Sequence, residues 1–284
     1  MTVRIITDSA ADISDVCVAQ WGVQVLPLKT IIDGVEYRDG IDLTSQEFFE
    51  RLVEMEGLPT TSAIAPGVYA EAFREALSAG DQVICITLSS KLSACHQSAL
   101  IAAEEFEGAD VYVVDSLNAT LGQQILVQHA VALRDQGMDA AALAANLEHT
   151  KTRIRLVALV GTLEYLKRGG RVSSAVAAVG GLLNIKPVIA VEEGEVVVLG
   201  QARGSKNGRN LLVEQARKSG GISYAEPYMV AYSGLSDELL RKYLRDSASH
   251  FPIEVDSIPV CHIGSTIGTH VGPGAVAVAF FARS

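Results

Sequence analysis

Apolar and polar residues alternate along the first half of the chain in a strand–helix rhythm. Val3–Thr7 is a short, largely β-branched run, long enough for a strand and too short for a helix. A helix is predicted around Ile13–Gln20. Gln24–Ile32 and Val35–Tyr37 then read as strands either side of Asp33-Gly34, a dipeptide suited to the positive φ angles of a tight hairpin turn. Thr44-Ser-Gln-Glu47 places a hydroxyl and a carboxylate three residues apart, the pattern of a capping box, and opens a helix to about Glu54. Pro66 suits the first turn of a helix reaching about Ala79. Gln82–Leu88 and Val111–Val114 are further strands, with helices over Leu92–Phe106, Thr120–Gln136 and Asp139–Thr152. Continuously apolar strands alternating with helices imply a parallel sheet covered on both faces.

The second half has a different texture. Leu156–Val160 reads as a strand, Thr162–Lys167 as a short helix ending at Gly169-Gly170, and Ser173–Val179 as another helix. Pro187–Glu192 and Glu195–Leu199 flank Glu193-Gly194 as an antiparallel hairpin. Helices follow over Asn207–Lys218 and Asp237–His250, and strands over Tyr228–Tyr232, Glu254–Ile258 and Ala275–Phe281. The chain thus reads as an α/β protein of two domains. Residues 1–152 would carry the parallel sheet and residues 153–284 a mixed one, a length that suffices for two cores.

Hydrophobic residues make up 49% of the chain and charged ones 20%, a composition that needs no lipid to be stable. No apolar stretch approaches the roughly 18 residues of a membrane span, which argues against membrane insertion. The N-terminus lacks a basic segment, a long apolar run and a cleavage site, so a cytoplasmic location is expected. Four scattered cysteines (Cys17, Cys85, Cys95, Cys261) then read as free thiols, and metal ligation by Cys95-His96 with Cys261-His262 is the weaker alternative. A formal charge of −10 disfavours nucleic acid. Residues 1–150 hold 7 Lys/Arg and 22 Asp/Glu, a net of −15, whereas residues 151–209 hold 10 and 4, a net of +6. That basic middle is either an anion- or partner-facing surface or a set of charges scattered over several faces.

Ligands of open α/β sheets sit beyond the carboxyl ends of the strands. Three such ends carry hydroxyls or carboxylates: Thr7-Asp8-Ser9, Ser89-Ser90-Lys91-Leu92-Ser93 and Asp115-Ser116. The serine loop leads into a helix N-terminus, and Thr60-Thr61-Ser62 is read as preceding a second one. Both helix starts would then converge on an oxygen-rich group such as a carboxylate. Simple N-capping alone accounts for either run and, on these residues by themselves, is the favoured reading. Gly264–Gly274 gathers glycines and a proline around His270, which predicts a tight loop with close backbone approach. Lys167-Arg168-Gly169-Gly170-Arg171 places cations at a helix end, where the dipole alone would favour them. Dinucleotide, P-loop and nucleophile-elbow signatures are missing from the sequence. A Ser93–His270–Asp8 triad for acyl transfer stays open as an alternative.

Taken together, Thr7-Asp8-Ser9, Thr60-Thr61-Ser62, Ser89–Ser93, Leu166–Arg171 and Gly268-Thr-His270-Val-Gly-Pro-Gly274 resemble, in order and spacing, the DegV family over essentially the whole chain. The resemblance implies two α/β domains with a long-chain fatty acid such as palmitate or oleate between them, and no metal or other cofactor. It also implies a non-catalytic subunit that presents the carboxylate to the ATP-binding subunit of a fatty acid kinase; a lipid transport or sensor protein is the other non-enzymatic reading. Carried over residue by residue, Thr61, Ser93 and His270 would bind the carboxylate, with Ser62 and Ala94 nearby, and Arg171, Arg203 and Lys167 would meet the partner. Ala175–Val179 and Leu182-Leu183 are expected among the lining. The family commonly continues its serine loop Ser-Gly-Thr-Tyr, whereas this chain has Ser93-Ala94-Cys95-His96. That puts the loop backbone and any threonine contact in question, because alanine reaches positive φ less easily than glycine.

Overall fold

A computed structural model describes residues 2–172, 185–250 and 254–283. The predicted helix at Ser173–Val179 and the expected lining at Ala175–Val179 and Leu182-Leu183 lie outside the described residues. The first half comprises β1 (Val3–Asp8), α1 (Asp15–Trp21), β2 (Gln24–Leu26), β3 (Lys29–Ile32), β4 (Val35–Arg38), α2 (Ser45–Glu54), β5 (Thr60–Ser62), α3 (Pro66–Ser78), β6 (Gln82–Thr87), α4 (Cys95–Glu104), β7 (Val111–Asp115), α5 (Thr120–Asp135) and α6 (Ala140–Thr150). There follow β8 (Ile154–Leu159), α7 (Glu164–Arg168), β9 (Ile185–Glu192), β10 (Glu195–Arg203), α8 (Ser205–Lys218), β11 (Tyr228–Tyr232), α9 (Glu238–Asp246), β12 (Val260–His262), α10 (Ser265–Val271) and β13 (Val276–Phe281).

The result is an α/β fold in which the described residues form three sheets. A four-stranded parallel sheet runs β2-β1-β6-β7, and a six-stranded mixed sheet runs β10-β9-β8-β13-β11-β12, parallel only between β11 and β12. The third, an antiparallel sheet of order β4-β3-β5, corrects the reading of Gln24–Ile32 as one strand. Pro27 has no N–H to offer a ladder, and the chain breaks there: β2 stays with β1, while β3 leaves for the small sheet. Both hairpin turns form as read. Asp33-Gly34 has φ of 50° and 80°, and Glu193-Gly194 has 49° and 86°. The Thr44–Glu47 capping box closes in both directions.

α5 is the keystone helix. It touches β1 and β6 of the parallel sheet and β8, β11 and β13 of the mixed sheet, and most of its first three turns are buried. One apolar cluster therefore extends from Ile5 and Ile84 through Leu121 and Ile125 to Ala277 and Phe281. α8 and α9 cover the outer face of the mixed sheet with Leu212, Leu240 and Tyr243. All six residues of β13 are buried, as a strand covered on both faces requires.

Two further expectations are overturned. Glu254–Ile258 contains a single 3-10 turn at Val255–Ser257, and the strand is β12. Gly264–Gly274 is a seven-residue helix, α10, rather than a loop throughout. Its glycines serve packing: a Cβ on Gly268 would lie 2.6 Å from Phe48 and 2.9 Å from Phe49 of α2, and Gly272 (φ +68°) abuts the Tyr165 ring. Gly268→Ala should accordingly destabilise the fold by about 1–3 kcal/mol through overpacking. Urea unfolding measures this, and an unchanged midpoint would show that α10 is free to shift off α2.

Candidate functional site

The carboxyl end of β6 leads into the serine loop, whose backbone is fixed from below. The buried Asp8 carboxylate accepts the Leu88 N–H at 2.7 Å and a Gln123 side-chain N–H at 3.1 Å. Burial, the largest influence on it, raises Asp8 to about 6 against these hydrogen bonds. α4 begins three residues later than predicted, at Cys95, and its N-cap is Ala94, at φ −76°. The departure from the family's glycine is thus no strain, because this backbone suits any residue. Ser93 Oγ accepts the Cys95 N–H at 3.3 Å and donates to Cys95 Sγ at the same distance. Ser93, one residue before the N-cap, therefore receives the first N–H of the helix while also lining a cavity.

Thr60–Ser62 is the edge strand β5, not the lead-in to a helix, and α3 starts at Pro66 without a side-chain cap. In the ladder Thr61 pairs with Thr30 of β3. The Thr30 hydroxyl in turn meets Ser265 Oγ at 2.8 Å, and Ser265 gives both its N–H and its hydroxyl to Asp39. These buried bonds hold the start of α10 against the small sheet, so that His270, near the helix end, comes to Thr61: Nε2 lies 2.9 Å from Thr61 Oγ1. Among the described residues His270 Nδ1 is buried without a partner, and Gly169 leaves room for it, since a Cβ there would sit 2.3 Å away.

Thr61, Ser93, Ala94, Arg171 and His270 all line one cavity, which holds about 1070 Å³ free of protein atoms, its mouth included. The rest of the wall is chiefly aliphatic, drawn from the parallel-sheet side (Leu28, Leu88, Ala119) and from the mixed sheet (Leu156, Ile189, Val191). The β9–β10 hairpin closes over it: Ser89 Oγ donates to the Gly194 carbonyl at 2.8 Å, and Gly194 packs so tightly there that a Cβ would lie 2.6 Å from that hydroxyl.

The remaining predicted residues separate. Ser62 does not line the cavity; its hydroxyl turns to the Ala63 carbonyl. Lys167 and Arg203 are exposed, and no ion pair holds either among the described residues. Arg171 is half-buried, with Nε donating to the Leu92 carbonyl at 3.1 Å and Nη1 to that of Gly169. Four other cations of the basic middle are paired with carboxylates, Lys151 with Glu148, Arg153 with Glu226, Arg168 with Glu164 and Arg209 with Asp246. The Ser93–His270–Asp8 triad does not assemble: Asp8 spends its oxygens on Leu88 and Gln123, and His270 faces Thr61. The sequence reading missed Thr120 and Thr266 of the lining. The first signals only a helix start, and the second was hidden by reading α10 as a loop.

A profile of the DegV family of uncharacterised proteins matches residues 2–283. The chain belongs to the DegV family. A DegV domain-containing protein of Caldanaerobacter subterraneus subsp. tengcongensis is 34% identical over 278 residues, covering 98% of each chain. The solved structure of a fatty-acid-binding DegV family protein from Thermus thermophilus is similar along 100% of both chains, with 35% identity and a TM-score of 0.88. A stearic-acid-binding protein from Eubacterium ventriosum aligns with a TM-score of 0.87 at 28% identity, over 98% of this chain and 97% of its own. No helix among the described residues of this DegV protein is long and apolar enough to cross a membrane.

Burial, reinforced by the nearby Arg171 charge, lowers His270 from 6.5 to about 4, so the imidazole is neutral at pH 7. An unfolded chain takes up that proton first as the pH falls. Stability is therefore lost between 6.5 and 4, by about 2 kcal/mol on going from pH 7 to pH 5. Urea unfolding should show His270→Gln losing less than the parent protein over this interval, whereas equal losses would mean that the ring is not held neutral.

Proposed function

We propose that this protein binds a long-chain fatty acid in the aliphatic cavity, with the carboxylate at Thr61, Ser93 and His270 and with Ala94 beside it. The observation that carries this reading is a cavity with aliphatic walls in which the polar groups include two hydroxyls and an imidazole brought in by three separate elements. Each methylene leaving water contributes about 0.8 kcal/mol, so a chain with about 14 of them gains roughly 11 kcal/mol before ordering costs. The carboxylate then needs charge-assisted hydrogen bonds to offset its own desolvation. The hydroxyls supply them, and Arg171 adds a positive charge with no carboxylate of the protein paired to it among the described residues. Division into residues 1–152 and 153–284 fits this picture, because the lining comes from both.

The finer reading is a substrate-presenting subunit. It holds the acyl chain while the ATP-binding subunit of a fatty acid kinase phosphorylates the carboxylate, and the protein does no chemistry itself. The exposed Lys167 and Arg203 support it as partner-facing cations. Ser62, turned to the backbone, fits the outer surround of the head group rather than a direct contact.

Protein purified from a bacterial host should release stoichiometric fatty acid on denaturation, identified by mass spectrometry. Thr61→Val with Ser93→Ala should weaken palmitate binding by at least about tenfold. An empty protein after palmitate feeding, or unchanged affinity in the double variant, would refute the site. Acyl phosphate should form only when kinase subunit and ATP are added, and Arg203→Glu should slow it. Binding without any acyl phosphate would leave a lipid carrier or sensor in its place.

A further inference from the structure

Thr61 and Ser93 are not the only hydroxyls in the cavity wall. Thr120, at the start of α5, and Thr266, in the first turn of α10, line it as well. Their residues are 5% and 2% exposed; among the described residues the Thr266 hydroxyl has no hydrogen-bond partner, and the Thr120 hydroxyl has only the Asp12 carboxyl group beside it. A helical threonine can satisfy itself on the carbonyl four residues back. Thr269 does so, bonding to the Ser265 carbonyl at 2.8 Å, but Thr266 does not. Thr120 stands at φ +44°, a left-handed conformation that β-branched residues avoid, so its placement is imposed by the surrounding structure rather than preferred locally.

Asp12 lies behind Thr120. Its Oδ1 accepts the Gly264 N–H at 2.9 Å, and the Thr120 hydroxyl lies against the same carboxyl group as its donor, which leaves the lone pairs of that hydroxyl free to accept. Asp12 thus joins Thr120 to the start of α10, and the Thr120 and Thr266 hydroxyls in the cavity wall keep hydrogen-bonding capacity that is costly to leave unmet. A plain hydrocarbon chain leaves that capacity unmet. Thr266 precedes His270 by one helical turn, so the two side chains share a face of α10, about 5–6 Å apart at Cβ. The group they await lies toward the carboxyl end of a bound chain rather than at its far tip.

We propose that Thr120 and Thr266 form a second polar station in the cavity that accepts a hydroxyl carried on the acyl chain, making hydroxylated fatty acids ligands of this site. The proposal rests on the fatty-acid reading above and adds a specificity to it. The hydroxyl would donate to one threonine and accept from the other.

The test is competition binding on delipidated protein, comparing stearate with hydroxystearates whose hydroxyl steps along the chain from carbon three to carbon twelve. A hydroxyl buried without a partner should weaken binding about tenfold or more. One isomer, with its hydroxyl in the carboxyl-proximal half, should escape that loss and bind within about threefold of stearate. In Thr120→Val/Thr266→Val, the ratio of that isomer's Kd to stearate's should rise about tenfold. Isomers weakened alike in the parent protein, as when an ordered water fills the station, would overturn the proposal, and so would a ratio unchanged in the double variant. If that variant does not fold, the positional series in the parent protein decides alone. Failure of stearate itself to bind would instead sink the fatty-acid reading.

Discussion

The site depends on a buried carboxylate that joins three parts of the fold. Asp39, at the end of the small sheet, accepts the Ser9 hydroxyl through one oxygen, and the N–H and hydroxyl of Ser265 through the other. Ser9 belongs to the turn after β1 and also receives the Leu28 N–H; Ser265 opens α10. One side chain therefore fixes the parallel sheet, the small antiparallel sheet and the helix that carries His270. Asp12 repeats the device on Gly264. The arrangement places acids close together: burial is the first cause of the raised Asp8 and Asp12, and the charge of Asp39 pushes both further up. Hydrogen bonds to backbone N–H groups counter this repulsion, which makes a network that is costly to disturb at any one member.

That constraint explains why the site is made of short elements. β5 has three residues and α10 seven, lengths that neither propensity nor nucleation would stabilise alone. They persist because Thr30 and Thr61 are paired in one ladder and Thr30 also touches Ser265. α10 is further seated by glycines that admit Phe48, Phe49 and Tyr165 where a Cβ would collide. Position comes from tertiary contacts, and the side chains that meet the cavity inherit it.

This division also governs what could be read from the sequence. Local chemistry was legible: the Thr44–Glu47 box, the Asp33-Gly34 and Glu193-Gly194 turns and the apolar strands all carry their signal within a few residues. The helix at Ser265–Val271 was not, because Gly268 in its middle is a poor helix former and its stability comes from α2 and α7, far away in the chain. Thr60–Ser62 likewise resembled a cap run, since nothing nearby reveals that β3 leaves the parallel sheet at Pro27 to pair with it. Among site residues, Ser93 and His270 stood out through their surrounding motifs. Thr266 shares the second motif, yet its relevance appears only once α10 is a helix, with positions 266 and 270 on one face.

The hairpin at Glu193-Gly194 completes the logic by making the cavity a property of both larger sheets. β9 contributes Ile189, Ala190 and Val191 to the wall and β10 contributes Val196, while the turn itself is tied to Ser89 of the serine loop. The loop that brings Ser93 to the cavity is therefore the loop that fastens the aliphatic wall. A shift of the hairpin would move both the aliphatic wall and the loop backbone that orients the Ser93 hydroxyl. Glycine at 194 is required on two counts, its positive φ in the turn and the close approach of Ser89. Polar and apolar parts of the cavity are thus mechanically one unit: the Ser93 hydroxyl sits on the same short loop whose Ser89 ties down the aliphatic hairpin.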